Sequence, residues 1–149
     1  MSWLPRHSVL VPVDFSDASR EAVRVGLELA EAPANVHLIH VLPPLDSISP
    51  GVVWGDITDE RRAESVRAFF REFARREGLP AEVTLVVRIG DPGLDVAEYA
   101  SECGADLIIV SSHGYHGIRR LLMGSTAERI LRHAPCPVLV LRRNDEATG

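Results

Sequence analysis

Short runs of aliphatic and β-branched residues alternate along this chain with longer stretches whose apolar positions recur at helical spacing. Residues 9–13, 36–41, 83–87, 107–110 and 138–141 are apolar at nearly every position, which is the pattern of strands covered on both faces. After the first run, Ala22, Val23, Gly26, Leu27 and Ala30 form one stripe behind a cap at Ser16 or Asp17, predicting a helix to about Glu31. A second helix is predicted from about residue 59 to 77, with Val66, Phe69, Phe70 and Phe73 on one face and Gly78 as its stop. Asp91 followed by Pro92 is a cap with proline at the first helical position, and it opens a third helix that ends at Gly104. A fourth begins near Gly124 and Ser125 and ends before Pro135.

Strand, helix, strand in succession predicts an α/β fold, a mostly parallel sheet with helices on both faces and right-handed crossovers. One domain over residues 1–149 is expected, with an ordered core at about 6–142 and a tail at 143–149. In such sheets ligands sit at the carboxyl ends of the strands, where strand order reverses. Residues 42–57 carry Pro43, Pro44 and Pro50 and form the one long irregular stretch, either a cover beside that pocket or a plain surface connection.

Composition narrows the chemistry. The chain is 46% hydrophobic and 25% charged, and no apolar run approaches the length of a membrane span. The first residues lack the basic and apolar blocks of a signal peptide, so a cytoplasmic address is expected. A net charge of −5 argues against a general nucleic-acid binder, whose affinity comes from clustered cations. All 16 basic residues are arginine. The absence of lysine excludes a Walker A lysine, a Schiff-base lysine and a Ser-x-x-Lys nucleophile pair. Cys103 and Cys136 stand far apart in sequence beside apolar elements, and they read as small buried hydrophobes in a reduced compartment.

The most specific motif runs from Ser111 to Thr126, a glycine-punctuated loop that follows the fourth strand and delivers Gly124-Ser125-Thr126 to the start of a helix. Glycine-loop amides and the open amides of a helix's first turn both carry partial positive charge and can hold phosphate. The spacing Ser111-x2-Gly114-x9-Gly124-Ser125 resembles the nucleotide loop of the universal stress protein family. Its ATP-binding members share Gly-x2-Gly-x9-Gly-Ser/Thr, so Ser111 stands where they have the first glycine. The resemblance extends through Val11-Pro12-Val13-Asp14-Phe15-Ser16, His40-Val41, Gly90-Asp91-Pro92 and Pro135-Cys136-Pro137-Val138-Leu139-Val140.

The resemblance implies a doubly wound five-stranded parallel sheet of order 3-2-1-4-5, with the crevice between strands 1 and 4. It implies that Pro12, Val13 and Val41 wall an adenine ring. Gly114, Gly124, Ser125 and Thr126 would hold the phosphates, with Ser111 and His113 in the same cofactor-binding loop. Asp14 would bind adenosine or, through water, a phosphate-bound Mg²⁺; its rival role is to cap the first helix. The implied cofactor is ATP or AMP with Mg²⁺, the implied assembly a homodimer through Val138–Leu141, and the implied role a stress-response sensor or regulator. The alternative within the family is a nucleotide-free dimeric interaction module.

Several features have plainer readings. Gly114 and Gly124 could merely turn the chain while Ser125 caps the helix. A serine at a glycine position of positive φ would cost about 1–2 kcal/mol, roughly a decade in nucleotide affinity. His113 and His116 offer two metal ligands without a third nearby, and His37 and His40 read as ordinary hydrogen-bonded histidines. Ser112-His113 lacks the Gly-x-Ser-x-Gly elbow of a serine hydrolase, and no Gly-x-Gly-x-x-Gly follows strand 1. Without a lysine clamp or a water-orienting base, the expected ceiling for activity is slow ATP hydrolysis.

Overall fold

The computed structural model describes residues 2–45, 58–112 and 124–142. Five strands, β1 (Val9–Pro12), β2 (Val36–Leu42), β3 (Thr84–Ile89), β4 (Leu107–Ser111) and β5 (Val138–Leu141), form one sheet in the order β3-β2-β1-β4-β5. Every neighbouring pair is parallel, as expected of strands joined by helical crossovers. Among the described residues the α-helices are α1 (Asp17–Leu29), α2 (Asp59–Arg76), α3 (Pro92–Glu102) and α4 (Ser125–His133).

Alternation of side chains along the strands divides the core in two. Val9, Val11, Val36, Leu38, Leu107 and Ile109 pack with Ala22 and Val23 of α1 and Phe70 and Phe73 of α2. Leu10, Ile39, Val41, Ile108 and Val110 pack on the other face with Val96 and Ala100 of α3 and Ala127 and Ile130 of α4. The sheet is therefore doubly wound, in the strand order the resemblance implied. Gly26 of α1 is needed where it is, because a Cβ there would stand 3.0 Å from Cγ2 of Val11.

Boundaries shift by a few residues from the sequence reading. α1 stops at Leu29 rather than Glu31, where the chain turns into a short pairing between Arg6 and Ala30. β3 runs Thr84–Ile89 instead of 83–87, because Val83 still belongs to the turn closed by its amide on the Pro80 carbonyl.

β1 and β4 pair only at Val9↔Leu107 and Leu10↔Ile108. Beyond that point β1 stays with β2 through Pro12↔Ile39, while β4 stays with β5 through Ser111↔Leu141. The two central strands thus part at their carboxyl ends. Val13 donates its amide to the Ile39 carbonyl on the β2 side, so Pro12 faces the side that β4 has left. A proline is tolerated there, since its missing N–H has no ladder to interrupt.

Candidate functional site

The parting of β1 and β4 opens a cleft of about 460 Å³, within the usual range for a small-molecule site. Its walls include Pro12, Val13 and Asp14 from β1 and the turn after it, Ile39, His40 and Val41 from β2, and Val110, Ser111 and Ser112 from β4. Pro92 and Val96 of α3 and Gly124, Ser125, Thr126, Ala127 and Ile130 close it from the other face. Eight residues singled out from sequence, Pro12, Val13, Asp14, Val41, Ser111, Gly124, Ser125 and Thr126, thus line one cleft. His113, Gly114, Tyr115, His116, Gly117, Arg119 and Arg120 lie outside the described residues, as does the predicted cover from 46 to 57.

The four helix starts differ in who satisfies their amides. Ser16 accepts from the Ser19 amide, Thr58 from that of Arg61, and Asp91 from those of Gly93 and Leu94. α4 is preceded by Gly124, which has no side chain to offer. The amides of Ser125, Thr126 and Ala127 have no intrahelical acceptor, and their end of the helix carries the positive end of its dipole into the cleft. Ser125 is the first helical residue rather than the cap, so the plain reading of it as a capping serine does not hold.

A bond from the Gly124 amide to the Ser112 carbonyl, 3.2 Å, fixes α4 to the end of β4. Ser112 is 7% exposed, and its Oγ is buried with no hydrogen-bond partner among the described residues. Such an unmet hydroxyl costs about 1–3 kcal/mol unless something entering from the cleft bonds to it.

Across the cleft stands Asp14. Its Oδ1 accepts from Ser19 Oγ at 2.6 Å, Ser16 Oγ at 2.5 Å and the Ser16 amide at 3.0 Å. Its Oδ2 takes no hydrogen bond among the described residues. Burial pushes the Asp14 carboxyl up, but the bonds from Ser16 and Ser19 together outweigh it and hold the group below the usual carboxylate range. The cap of α1 is Ser16, so the capping role that the sequence left open for Asp14 does not fall to it.

The turn that presents Asp14 is strained. Phe15 has φ +65°, the left-handed region that costs a bulky residue about 1–2 kcal/mol. Its ring packs against His40, Phe69, Phe70 and Phe73 at 4.9, 5.0, 5.2 and 5.4 Å between centroids. Aromatic pairs of this kind contribute about 0.5–1.5 kcal/mol each beyond burial, enough to hold the conformation. Among the described residues Phe15 is the one non-glycine with positive φ, so Ser111 carries none of the backbone strain that its place in the motif suggested.

The remaining candidates have structural partners. His37 bonds Tyr99 Oη at 2.9 Å, and burial holds its imidazole below the usual value. Cys103 and Cys136 are free thiols, both pushed up by burial, and they pack against the core cluster beneath α3 and α4. Among the described residues no three His, Cys, Asp or Glu side chains gather as a metal site, and no helix is long and apolar enough to cross a membrane.

Residues 5–142 match the model of the universal stress protein family. The chain belongs to that family. Universal stress protein MJ0531 of Methanocaldococcus jannaschii is 30% identical over 138 residues, covering 91% of this chain and 81% of its own length. The solved structure of hypothetical protein MJ0577 superposes with a TM-score of 0.78 at 23% identity, covering 96% of this chain and all of that one, and it shows the shared fold. The universal stress protein from Archaeoglobus fulgidus solved in complex with dAMP has a TM-score of 0.57 at 27% identity, covering 94% of this chain and 98% of that one. Ser19, Ser112 and His40 also line the cleft, where sequence reasoning did not place them, although His40 is hydrogen-bonded as expected. Ser19 and Ser112 gave no signal outside their motifs, whereas His40 stands beside Val41 in a segment already singled out.

Proposed function

We propose that this universal stress protein binds an adenine nucleotide, ATP with Mg²⁺ or AMP, in the cleft between β1 and β4, and acts as a stress-response sensor or regulator. The observation that carries the reading is the uncapped start of α4, whose open amides line the cleft opposite the Asp14 carboxylate. Phosphate on the amides of Ser125, Thr126 and Ala127 would satisfy donors that have no intrahelical acceptor and no side-chain cap among the described residues. The buried Ser112 hydroxyl offers one more contact of the same kind. Val41, Pro12 and Val13 supply the apolar wall an adenine ring needs. The dAMP held by the Archaeoglobus fulgidus relative supports the ligand class.

Mg²⁺ prefers to keep its waters and to reach protein through one carboxylate, and Oδ2 of Asp14 fits that use. Bound there, the ion would neutralise phosphate charge. We assign no catalytic residue, and we place slow hydrolysis as the ceiling of its chemistry. The edge strand β5, partly exposed along its whole length, is the surface we assign to a homodimer in a cytoplasmic protein.

Calorimetry with ATP-Mg and AMP tests the ligand. Binding that vanishes in Gly124→Trp is expected, and unchanged heat in that variant removes the assigned loop. Light scattering at micromolar concentration is expected to give twice the chain mass, and a monomer mass removes the dimer.

A further inference from the structure

We infer that His40 is a positioning residue for the cleft: from the opposite face of the sheet it clamps the Val13–Phe15 turn and so holds Asp14 where a ligand meets it. This rests on the nucleotide reading only for the ligand. The clamp itself is visible in the fold.

By the alternation of β2, His40 falls in line with Val36 and Leu38, which pack toward α1 and α2, whereas Ile39 and Val41 face α3 and α4. The imidazole nevertheless reaches the sheet's carboxyl edge, where its Nδ1 lies 2.6 Å from the Val13 carbonyl oxygen. A carbonyl only accepts, so Nδ1 must carry the proton and donate. Val13 is thereby fixed at both ends, its amide by the Ile39 carbonyl and its own carbonyl by His40.

The same ring packs on Phe15 at 4.9 Å, the residue in the left-handed conformation. Between these two clamped residues sits Asp14, its amide on Ser19 Oγ at 2.9 Å and its carboxylate on Ser16 and Ser19. One side chain thus holds the residue before Asp14 by a hydrogen bond and the residue after it by ring contact. Leucine or valine at position 40 would keep the strand and lose both.

Two substitutions separate the donor from bulk. In His40→Asn the side-chain amide nitrogen sits close to where Nδ1 was, and in His40→Gln it moves out toward the position of Nε2. Amide hydrogen exchange of the nucleotide-free proteins reports the turn through Ser16, whose N–H bonds Asp14 Oδ1. We expect Ser16 exchange to accelerate at least tenfold in His40→Gln and to stay within threefold of the unsubstituted protein in His40→Asn, with ATP-Mg affinity following the same order. Unchanged exchange in His40→Gln, or equal loss in both variants, overturns the inference. If the unsubstituted protein takes up no ATP-Mg, the nucleotide reading falls, and the exchange comparison still decides the clamp. Should His40→Gln not fold, proton NMR of the unsubstituted protein decides. A protected imidazole Nδ1–H signal from His40 supports the clamp, and its absence overturns it.

Discussion

Two helices begin at the rim of the same cleft, and they begin differently. α3 starts under Asp91, whose carboxylate accepts from the Gly93 and Leu94 amides and also pairs with Arg129 of α4. Those bonds hold the Asp91 carboxyl low, the Leu94 amide first among them. α4 starts at Gly124, which has no side chain, and among the described residues no side chain caps it. One helix start thus carries its own anion, whereas the other carries none among the described residues and, on the proposed function, takes it from the ligand. On the proposed function, phosphate sits at the unfilled terminus and not at the filled one.

The sharpest way to break this contrast is to give α4 what α3 has. The nearest atom to a Cβ at position 124 is the Ser112 carbonyl oxygen at 4.0 Å, so Gly124→Asp has room. Its carboxylate would cap the helix and repel phosphate. ATP-Mg affinity is expected to fall at least 100-fold, about 2.7 kcal/mol, in calorimetry, while the melting temperature holds or rises, since Gly to Asp at a cap changes stability by only a few tenths of a kcal/mol. Retained affinity would show that phosphate does not sit on α4.

The reverse change is Asp91→Ala. Loss of that cap should cost about 1 kcal/mol, read as a fall of roughly 2–4 °C in melting temperature, with ATP-Mg affinity within threefold of the starting protein. A tenfold loss of affinity would mean that α3 shares in binding.

Acid sharpens the picture of Asp14. Its folded carboxyl lies below the ordinary value and returns to about 3.9 on unfolding, so the unfolded chain binds more protons between the two. The stability it contributes is complete above that ordinary value and is lost as pH falls through the folded one. Denaturant unfolding of the nucleotide-free Asp14→Asn variant should show a gap from the parent that narrows below pH 4. A gap independent of pH would assign the effect to packing.

The smallest effect is expected from Ser111→Gly. With no left-handed strain to relieve, stability should move by less than about 0.5 kcal/mol and ATP-Mg affinity by less than threefold. A tenfold gain would show that the Ser111 side chain crowds the ligand.

The alternating apolar runs made five strands, four helices and their order along the chain legible before any coordinates, because a doubly covered parallel sheet leaves a period that survives in sequence. The spacing of Gly124 and Ser125 from Ser111 made the loop legible, and only the family resemblance placed it across a cleft from Asp14. What could not be read was anything set by contact between distant segments. The strain at Phe15 depends on four aromatic partners from β2 and α2, and nothing local in Asp14-Phe15-Ser16 announces a left-handed phenylalanine. The orphaned Ser112 hydroxyl is likewise a property of its surroundings. For Asp14, sequence proposed a capping role beside a ligand role, and only the competing Ser16 bond to the Ser19 amide shows that the cap lies elsewhere.

An uncapped helix is also a shortfall in the fold's own stability, and whatever anion fills it adds to the free energy of unfolding. At a free ligand concentration of 100 times Kd that addition is about 2.7 kcal/mol. On the proposed function Gly124, by offering no side chain, would couple the lifetime of the folded chain to the composition of the surrounding solution, so that how long a molecule survives heat or proteases would become a record of what it has met.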